Sequence, residues 1–132
     1  MSMLIDTDVI VRLTRGHAGA AARLRSIKLW RFSAVTYIEL AQGSRDKAEL
    51  ARLKHALNGS GTQIVALTES SGERAMRLID QYALAHGLRL GDALIAATAI
   101  EGGLTLLTAN IKRFSPIAGL TLEKFDPNPT GT

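Results

Sequence analysis

Three acidic residues lie far apart in the sequence, each beside an apolar segment where a carboxylate is costly unless it has a partner. Asp6 ends the apolar run Met3–Ile5. Glu39 follows an aromatic and β-branched stretch, and Asp92 lies near the start of an almost uncharged segment. Three carboxylates held close together in a partly dry cleft repel one another unless a cation neutralises them. Since the chain has no cysteine and no paired histidines, these oxygen ligands favour a hard ion, Mg²⁺ or Mn²⁺.

Asp92 also has a simpler interpretation. The segment 90–100 is apolar apart from Asp92 and Thr98, which predicts a buried helix, and Gly102-Gly103 ends it. An acid in the first turn of a helix stabilises the free backbone N–H groups and the helix dipole without any ligand. The residues alone leave both roles of Asp92 open.

Strand-like and helix-like segments alternate along the chain. Strands are predicted at 3–5, 29–35, 62–67 and 104–108, and helices at 7–15, 18–28, 37–43, 45–57, 68–87 and 89–101. Thr36 is expected to cap the third helix, which places Glu39 in its first turn. The turn at 58–61 is the clearest in the chain. This alternation predicts an α/β fold, a three-layer α/β/α sandwich around a mainly parallel sheet.

The predicted fold gives the acids a common location. In parallel sheets, ligands bind beyond the carboxyl ends of the strands. Asp6 ends the first strand and Asn110 follows the fourth, while Glu39 and Asp92 each open a helix that returns from the same edge. We therefore expect these four polar side chains to meet in one cleft.

Length and composition indicate the domain organisation, the location and the class of ligand. With 132 residues, 46% of them hydrophobic, the chain is predicted to form one domain over residues 1–125 and a loose tail over residues 126–132. The absence of cysteine and of any long apolar run predicts a cytoplasmic protein with no membrane partner. A formal charge of +4 favours a polyanionic ligand. The scattered glycines match no nucleotide-binding motif.

Four segments together resemble the motifs of PIN-domain proteins, in the family's order. The segments are residues 3–10, 37–43, 90–99 and 107–114, and the match runs from Met3 to about Leu120. A single such motif is common in unrelated proteins, whereas four at compatible spacing are specific. The chain most resembles the VapC-type toxins of bacterial toxin–antitoxin pairs, which are single PIN domains of this size.

The resemblance implies an endoribonuclease that cuts RNA with Mg²⁺ or Mn²⁺. The acids corresponding to Asp6 and Asp92 then bind the ion, and Glu39 binds it directly or through water and positions the attacking water. The fourth position of the family is often Asp, and the aligned residue here is Asn110, which can orient a water but brings no charge. Thr108 resembles the family's hydroxyl residue near the site. A VapB-type antitoxin and a homodimer are further implied.

The sequence leaves the roles of several charged residues open. Asp8 is interpreted either as a helix cap or as an acid in the outer shell of the metal site. Arg12, Lys112 and Arg113 are expected to bind RNA phosphates at the cleft edge, and Arg15 and Arg45 lie near the same edge. The alternative for each basic residue is an ordinary solvated charge.

Two other functions are considered. Asp6-Thr7-Asp8 after a strand is similar to the D-x-D motif of haloacid-dehalogenase-like phosphotransferases, but position 10 is Ile where that family has Thr or a similar residue. The second is a catalytically silent PIN-like module that binds RNA or a protein. Metal-dependent cleavage that is lost in a chelator distinguishes the nuclease from this module.

Overall fold

A computed structural model describes residues 2–58 and 61–128. The strands are β1 (Met3–Ile5), β2 (Trp30–Ser33), β3 (Thr62–Val65), β4 (Thr105–Thr108) and β5 (Leu122–Lys124). The helices are α1 (Thr7–Thr14), α2 (Ala18–Arg25), α3 (Ala34–Gln42), α4 (Lys47–Leu57), α5 (Glu69–His86), α6 (Leu90–Gly102) and α7 (Ile111–Phe114). The strands form one sheet in the order β3-β2-β1-β4-β5, and every pairing is parallel.

Each face of the sheet is covered by its own apolar core. Leu4 and Leu106 pack with residues of α5 and α6 on one face. Ile5 and Leu107, the next residues along the same strands, pack with α1, α2 and α4 on the other face. This alternation is what a pleated strand covered on both faces requires. The predicted three-layer sandwich around a parallel sheet is confirmed.

The helix α6 is buried, as its sequence predicts. Six of its side chains, from Ala93 and from Ile95 to Ala99, are buried. Gly103 follows the helix with φ of 62°, a left-handed conformation that favours glycine at this position. A helix enclosed in this way has little freedom to move, so Asp92 in its first turn has a fixed place.

The predicted start of α3 is wrong. β2 ends at Ser33, whose hydroxyl accepts a hydrogen bond from the Val35 N–H at 3.1 Å and caps a helix that begins at Ala34. Thr36, the predicted cap, is fully buried inside the helix. Glu39 therefore lies in the second turn of α3, one turn later than predicted.

The other boundaries shift by a few residues. α2 ends at Arg25 and β3 at Val65, both earlier than predicted, while Asp46 caps α4 with its side chain. Gly59 and Ser60 of the predicted turn, and residues 129–132 of the predicted tail, lie outside the described residues. Among the described residues, no helix is both long and apolar enough to cross a bilayer.

Candidate active site

Asp6 lies directly after β1 and caps α1. Its Oδ1 accepts a hydrogen bond from the Thr7 N–H at 2.8 Å, and its Oδ2 accepts one from the Thr108 hydroxyl at 2.7 Å. Burial raises the pKa of Asp6 to about 7, with further increases from Asp8 and Asp92 and opposition from the two hydrogen bonds. The repulsion places Asp8 and Asp92 near Asp6, so segments far apart in sequence converge at this carboxylate.

Asp8 binds the loop that follows β4. Its carboxylate accepts a hydrogen bond from the Ala109 N–H at 3.2 Å and lies 3.7 Å from the Arg12 guanidinium. Burial raises the pKa of Asp8, and Arg12 opposes this increase. Because Asp6 is the N-cap of α1, the interpretation of Asp8 as the cap is wrong. Asp8 lies near Asp6 as a second, half-buried acid, held by a backbone donor.

Glu39 is connected to α1 through Thr7. The Thr7 hydroxyl donates to Glu39 Oε1 at 2.8 Å and lies 2.9 Å from the Thr36 hydroxyl oxygen. Because the Thr7 N–H donates to Asp6 and its hydroxyl donates to Glu39, Thr7 connects these two acids. This link has no local signal in the sequence, where Thr7 is only the first residue of a predicted helix.

Gly91 allows Glu39 to reach the start of α6. A Cβ atom at position 91 would lie 2.9 Å from Glu39 Oε2, closer than ordinary contacts permit. A larger residue at position 91 would displace this carboxylate from the start of α6. Gly91 is not among the predicted site residues, and its only signal in the sequence is its position directly before an acid in an otherwise apolar helix.

Asp92 stabilises the start of its own helix and also contacts a side chain of α7. Its Oδ2 accepts a hydrogen bond from the Arg89 N–H at 3.2 Å, which supports the start of α6. The same oxygen lies 3.4 Å from Arg113 Nη1, and the side chain is 15% exposed. The carboxylate therefore supports its own helix and also faces the cleft.

Asn110 has a structural role that was not predicted. Its Oδ1 accepts a hydrogen bond from the Arg113 N–H at 3.3 Å and caps α7, while its own N–H donates to the Thr108 hydroxyl at 2.9 Å. The carbonyl oxygen that was expected to orient a water is thus engaged with the backbone. Asn110 places the turn that carries Arg113.

The predicted phosphate-binding residues differ in their surroundings. Arg12 is paired with Asp8 and Arg113 with Asp92, while Lys112 is exposed. Arg15 and Arg45 line a cavity of about 680 Å³ between α1, α3 and α4. Thr7 and Glu39 also line this cavity, so Glu39 connects it to the candidate site.

The donors suit a hard divalent cation, although they are not arranged around one. Among the described residues, no three acidic or histidine side chains are positioned to hold a metal ion together. Asp6 is nevertheless buried and repelled by two other acids, which is a situation that a cation relieves. Asp6, Glu39 and Asp92 fit Mg²⁺ or Mn²⁺ in their chemistry, provided that Asp92 exchanges its contact with Arg113 for the ion.

Comparison with known families settles what kind of domain this is. The family model for the PIN domain matches residues 3–120. The chain belongs to the PIN domain family. The four segments that carry the resemblance all lie inside the match, and Asp6 of this PIN domain directly follows the carboxyl end of β1. No curated protein matches the chain in sequence.

Several solved structures are similar to this PIN domain. A toxin–antitoxin complex from Klebsiella pneumoniae is 30% identical, with a TM-score of 0.76, and the match covers 91% of this chain and 96% of that one. FitAcB from Neisseria gonorrhoeae is 27% identical, covers 95% and 97%, and has a TM-score of 0.72. VapBC2 from Rickettsia felis, bound to a DNA fragment from its promoter, is 22% identical, covers 96% and 100%, and has a TM-score of 0.78. At 22% identity the last shows the fold alone.

Proposed function

We propose that this PIN domain is a VapC-type toxin, a metal-dependent endoribonuclease that hydrolyses phosphodiester bonds of cellular RNA in the cytoplasm. The observation that carries the proposal is Asp6, a buried carboxylate whose pKa is raised to about 7 beside Asp8 and Asp92. Mutually repelling acids destabilise a metal-free fold, and carboxylates perturbed in this way cluster at functional sites. The similarity to toxin–antitoxin complexes supports the same proposal.

The chain's own residues divide the work of hydrolysis. A bound Mg²⁺ or Mn²⁺ supplies Lewis-acid chemistry, lowering the pKa of a coordinated water and neutralising phosphate charge. Asp6, fixed by Thr7 and Thr108, and Asp92, fixed by α6, are the proposed ligands. Glu39, held by the Thr7 hydroxyl at 2.8 Å, orients the attacking water and accepts its proton. Lys112 is exposed beside these groups and holds a backbone phosphate of the RNA.

Cleavage of total RNA by the purified protein tests the proposal. We expect cut products with Mn²⁺, none with a chelator, and none from Asp92→Asn, an isosteric change that keeps an acceptor for the Arg89 N–H. Because the acceptor for the Arg89 N–H is kept and only the ion pair with Arg113 is weakened, this variant should stay folded by circular dichroism. Unchanged cutting by Asp92→Asn would exclude the metal-ligand role, and unfolding would show that Asp92 acts mainly as a helix cap.

A specific observation keeps the silent binding module as the second candidate. Arg113, a cation, already faces Asp92 at 3.4 Å, and Asn110 contributes no charge. RNA binding in a filter assay without cleavage in Mg²⁺ or Mn²⁺ would establish that module and reject the nuclease.

The proposed partner is a VapB-type antitoxin that places an apolar helix in the cavity between α1, α3 and α4. Val11, Leu40 and Leu53 line its walls, together with Glu39. A helix in such a groove is anchored by apolar side chains at helical spacing, and a basic side chain on it reaches the acids.

Metal binding tests how the antitoxin inhibits. If its basic side chain occupies the acidic site, Mn²⁺ titrated into the purified complex should bind more weakly than Mn²⁺ titrated into the free protein. Equal affinities would show that inhibition does not act through this site.

A homodimer is also part of the proposal. Ile38 and Leu90, adjacent in sequence to Glu39 and Gly91, are 55% and 73% exposed. Sedimentation of the free protein measures its mass.

A further inference from the structure

Arg113 makes a contact that RNA binding does not explain. A residue that binds phosphate is expected to extend toward solvent, whereas Arg113 Nη1 lies 3.4 Å from Oδ2 of Asp92, a proposed metal ligand. The Asp92 side chain is 15% exposed and that of Arg113 39% exposed. The cation is therefore turned inward, against one of the carboxylates that a divalent ion needs.

The fold holds Arg113 in this place. Its backbone N–H donates to Asn110 Oδ1, and the next residue, Phe114, is buried in the core. The Asn110 N–H donates to the Thr108 hydroxyl, which in turn donates to Asp6 at 2.7 Å. One continuous set of hydrogen bonds thus connects the backbone of Arg113 to the buried acid.

The charges give the contact its consequence. Asp92 is an acid close enough to Asp6 to repel it, so the positive guanidinium of Arg113, 3.4 Å from Asp92 Oδ2, reduces the unfavourable electrostatics of the metal-free site. A divalent cation does the same and binds the same carboxylate. The guanidinium and the ion therefore cannot both have Asp92 as a close partner on the same oxygen.

We propose that Arg113 is an internal counter-ion of Asp92 that competes with the divalent cation and lowers the affinity of this site for metal. The inference rests on the metal site of the proposed function. Arg113 is here a positioning residue, because it acts through Asp92. Asn110 belongs to the same device, since it fixes the turn from which Arg113 reaches the acid.

Calorimetric titration of Mn²⁺ into the metal-free protein tests this competition. We expect Arg113→Ala to bind Mn²⁺ roughly 2- to 5-fold more tightly than wild type, which is the affinity equivalent of a partly exposed ion pair. Lys112→Ala removes the same charge from the neighbouring, exposed position and is the matched control. It should change the affinity less, because it has no contact with Asp92 to release.

A double-mutant cycle separates competition from a general change in charge. Asp92→Asn weakens the ion pair. In this background, the gain in Mn²⁺ affinity from Arg113→Ala should disappear. Thermal unfolding gives a second measurement: without metal, Arg113→Ala should melt below wild type, and added Mn²⁺ should raise its Tm by more.

Each outcome has a distinct meaning. Equal gains from Arg113→Ala and Lys112→Ala, or a gain that persists with Asp92→Asn, would overturn the competition and leave the metal site standing. Binding of Mn²⁺ by Arg113→Ala, with none by wild type, would be the strongest support for the competition. No binding by either wild type or Arg113→Ala would overturn both this inference and the metal-dependent function, which distinguishes the two failures.

Discussion

At the scale of single residues, Asp6 has two requirements that conflict. Its position after β1 buries it between the sheet and α1, and the same position gives it the Thr7 and Thr108 donors that fix both oxygens. Burial and neighbouring acids oppose the charged form, while the donors favour it. The stored repulsion makes the metal-free protein less stable near neutral pH than its packing alone allows.

The first prediction concerns the pH dependence of unfolding. Asp6 has a pKa of about 7 in the folded chain against 3.8 ordinarily, so the folded state binds more protons between these values. The free energy of unfolding of the metal-free protein should therefore fall as the pH rises from about 4 to about 7. Asp6→Asn should remove most of this slope, measured by denaturant unfolding in a chelator at several pH values.

The exposed Asp80 on α5 provides the control, since Asp80→Asn should leave the slope unchanged. A slope of the opposite sign, or one that Asp6→Asn leaves intact, would show that other groups set the pH dependence.

At the scale of elements, the sequence predicts the parts that local patterns determine. The apolar run before Asp6 and the uncharged helix after Asp92 have strong patterns, and both elements lie where expected. The predicted start of α3 was wrong because Ser33 and Thr36 are both good helix caps. Only the pairing of β2 with its neighbours shows where the strand ends. The Arg113–Asp92 contact had no local signal, since it depends on how α7 and α6 lie in space.

The second prediction concerns the meeting of α3 and α6. Gly91→Ala should move the Glu39 carboxylate, because the new Cβ would lie 2.9 Å from Glu39 Oε2. Since alanine favours helix over glycine by up to about 1 kcal/mol, the fold should be as stable as wild type or more so. Mn²⁺ affinity and RNA cleavage should both fall while Tm does not.

Gly72→Ala in α5 is the matched control, because a Cβ there meets nothing within 4 Å. If Gly91→Ala binds Mn²⁺ and cuts RNA like wild type, Glu39 either tolerates the displacement or has no role in the site.

At the scale of the whole molecule, the charges are unevenly distributed. The chain has 16 Lys and Arg against 12 Asp and Glu, yet acids gather at the carboxyl ends of its strands. A polyanion is attracted by the surplus of positive charge and repelled by this edge until a cation neutralises it. RNA affinity should accordingly depend on both salt and metal.

The third prediction concerns salt. Because phosphate contacts release counterions, the logarithm of the RNA affinity should fall linearly with the logarithm of salt concentration. Lys112→Ala should reduce the steepness of that line by roughly 0.7 to 1, the value of one phosphate contact. Fluorescence titrations at four salt concentrations measure the slope.

Arg77 on α5 is exposed and belongs to the outer helical layer, so Arg77→Ala is the control of equal charge. Equal effects of the two variants would place the path of the RNA away from the acidic edge.

The central position of β1 in the sheet has a consequence for biosynthesis. Met3 pairs with Thr105, and Asp6 receives its hydroxyl donor from Thr108, 102 residues later. At roughly 5 to 20 residues per second, a ribosome that has made Asp6 needs about 5 to 20 s to make the partner that fixes it. The acidic site is thus completed only after Thr108 has been made, and a chain whose translation stops before that residue is released without it.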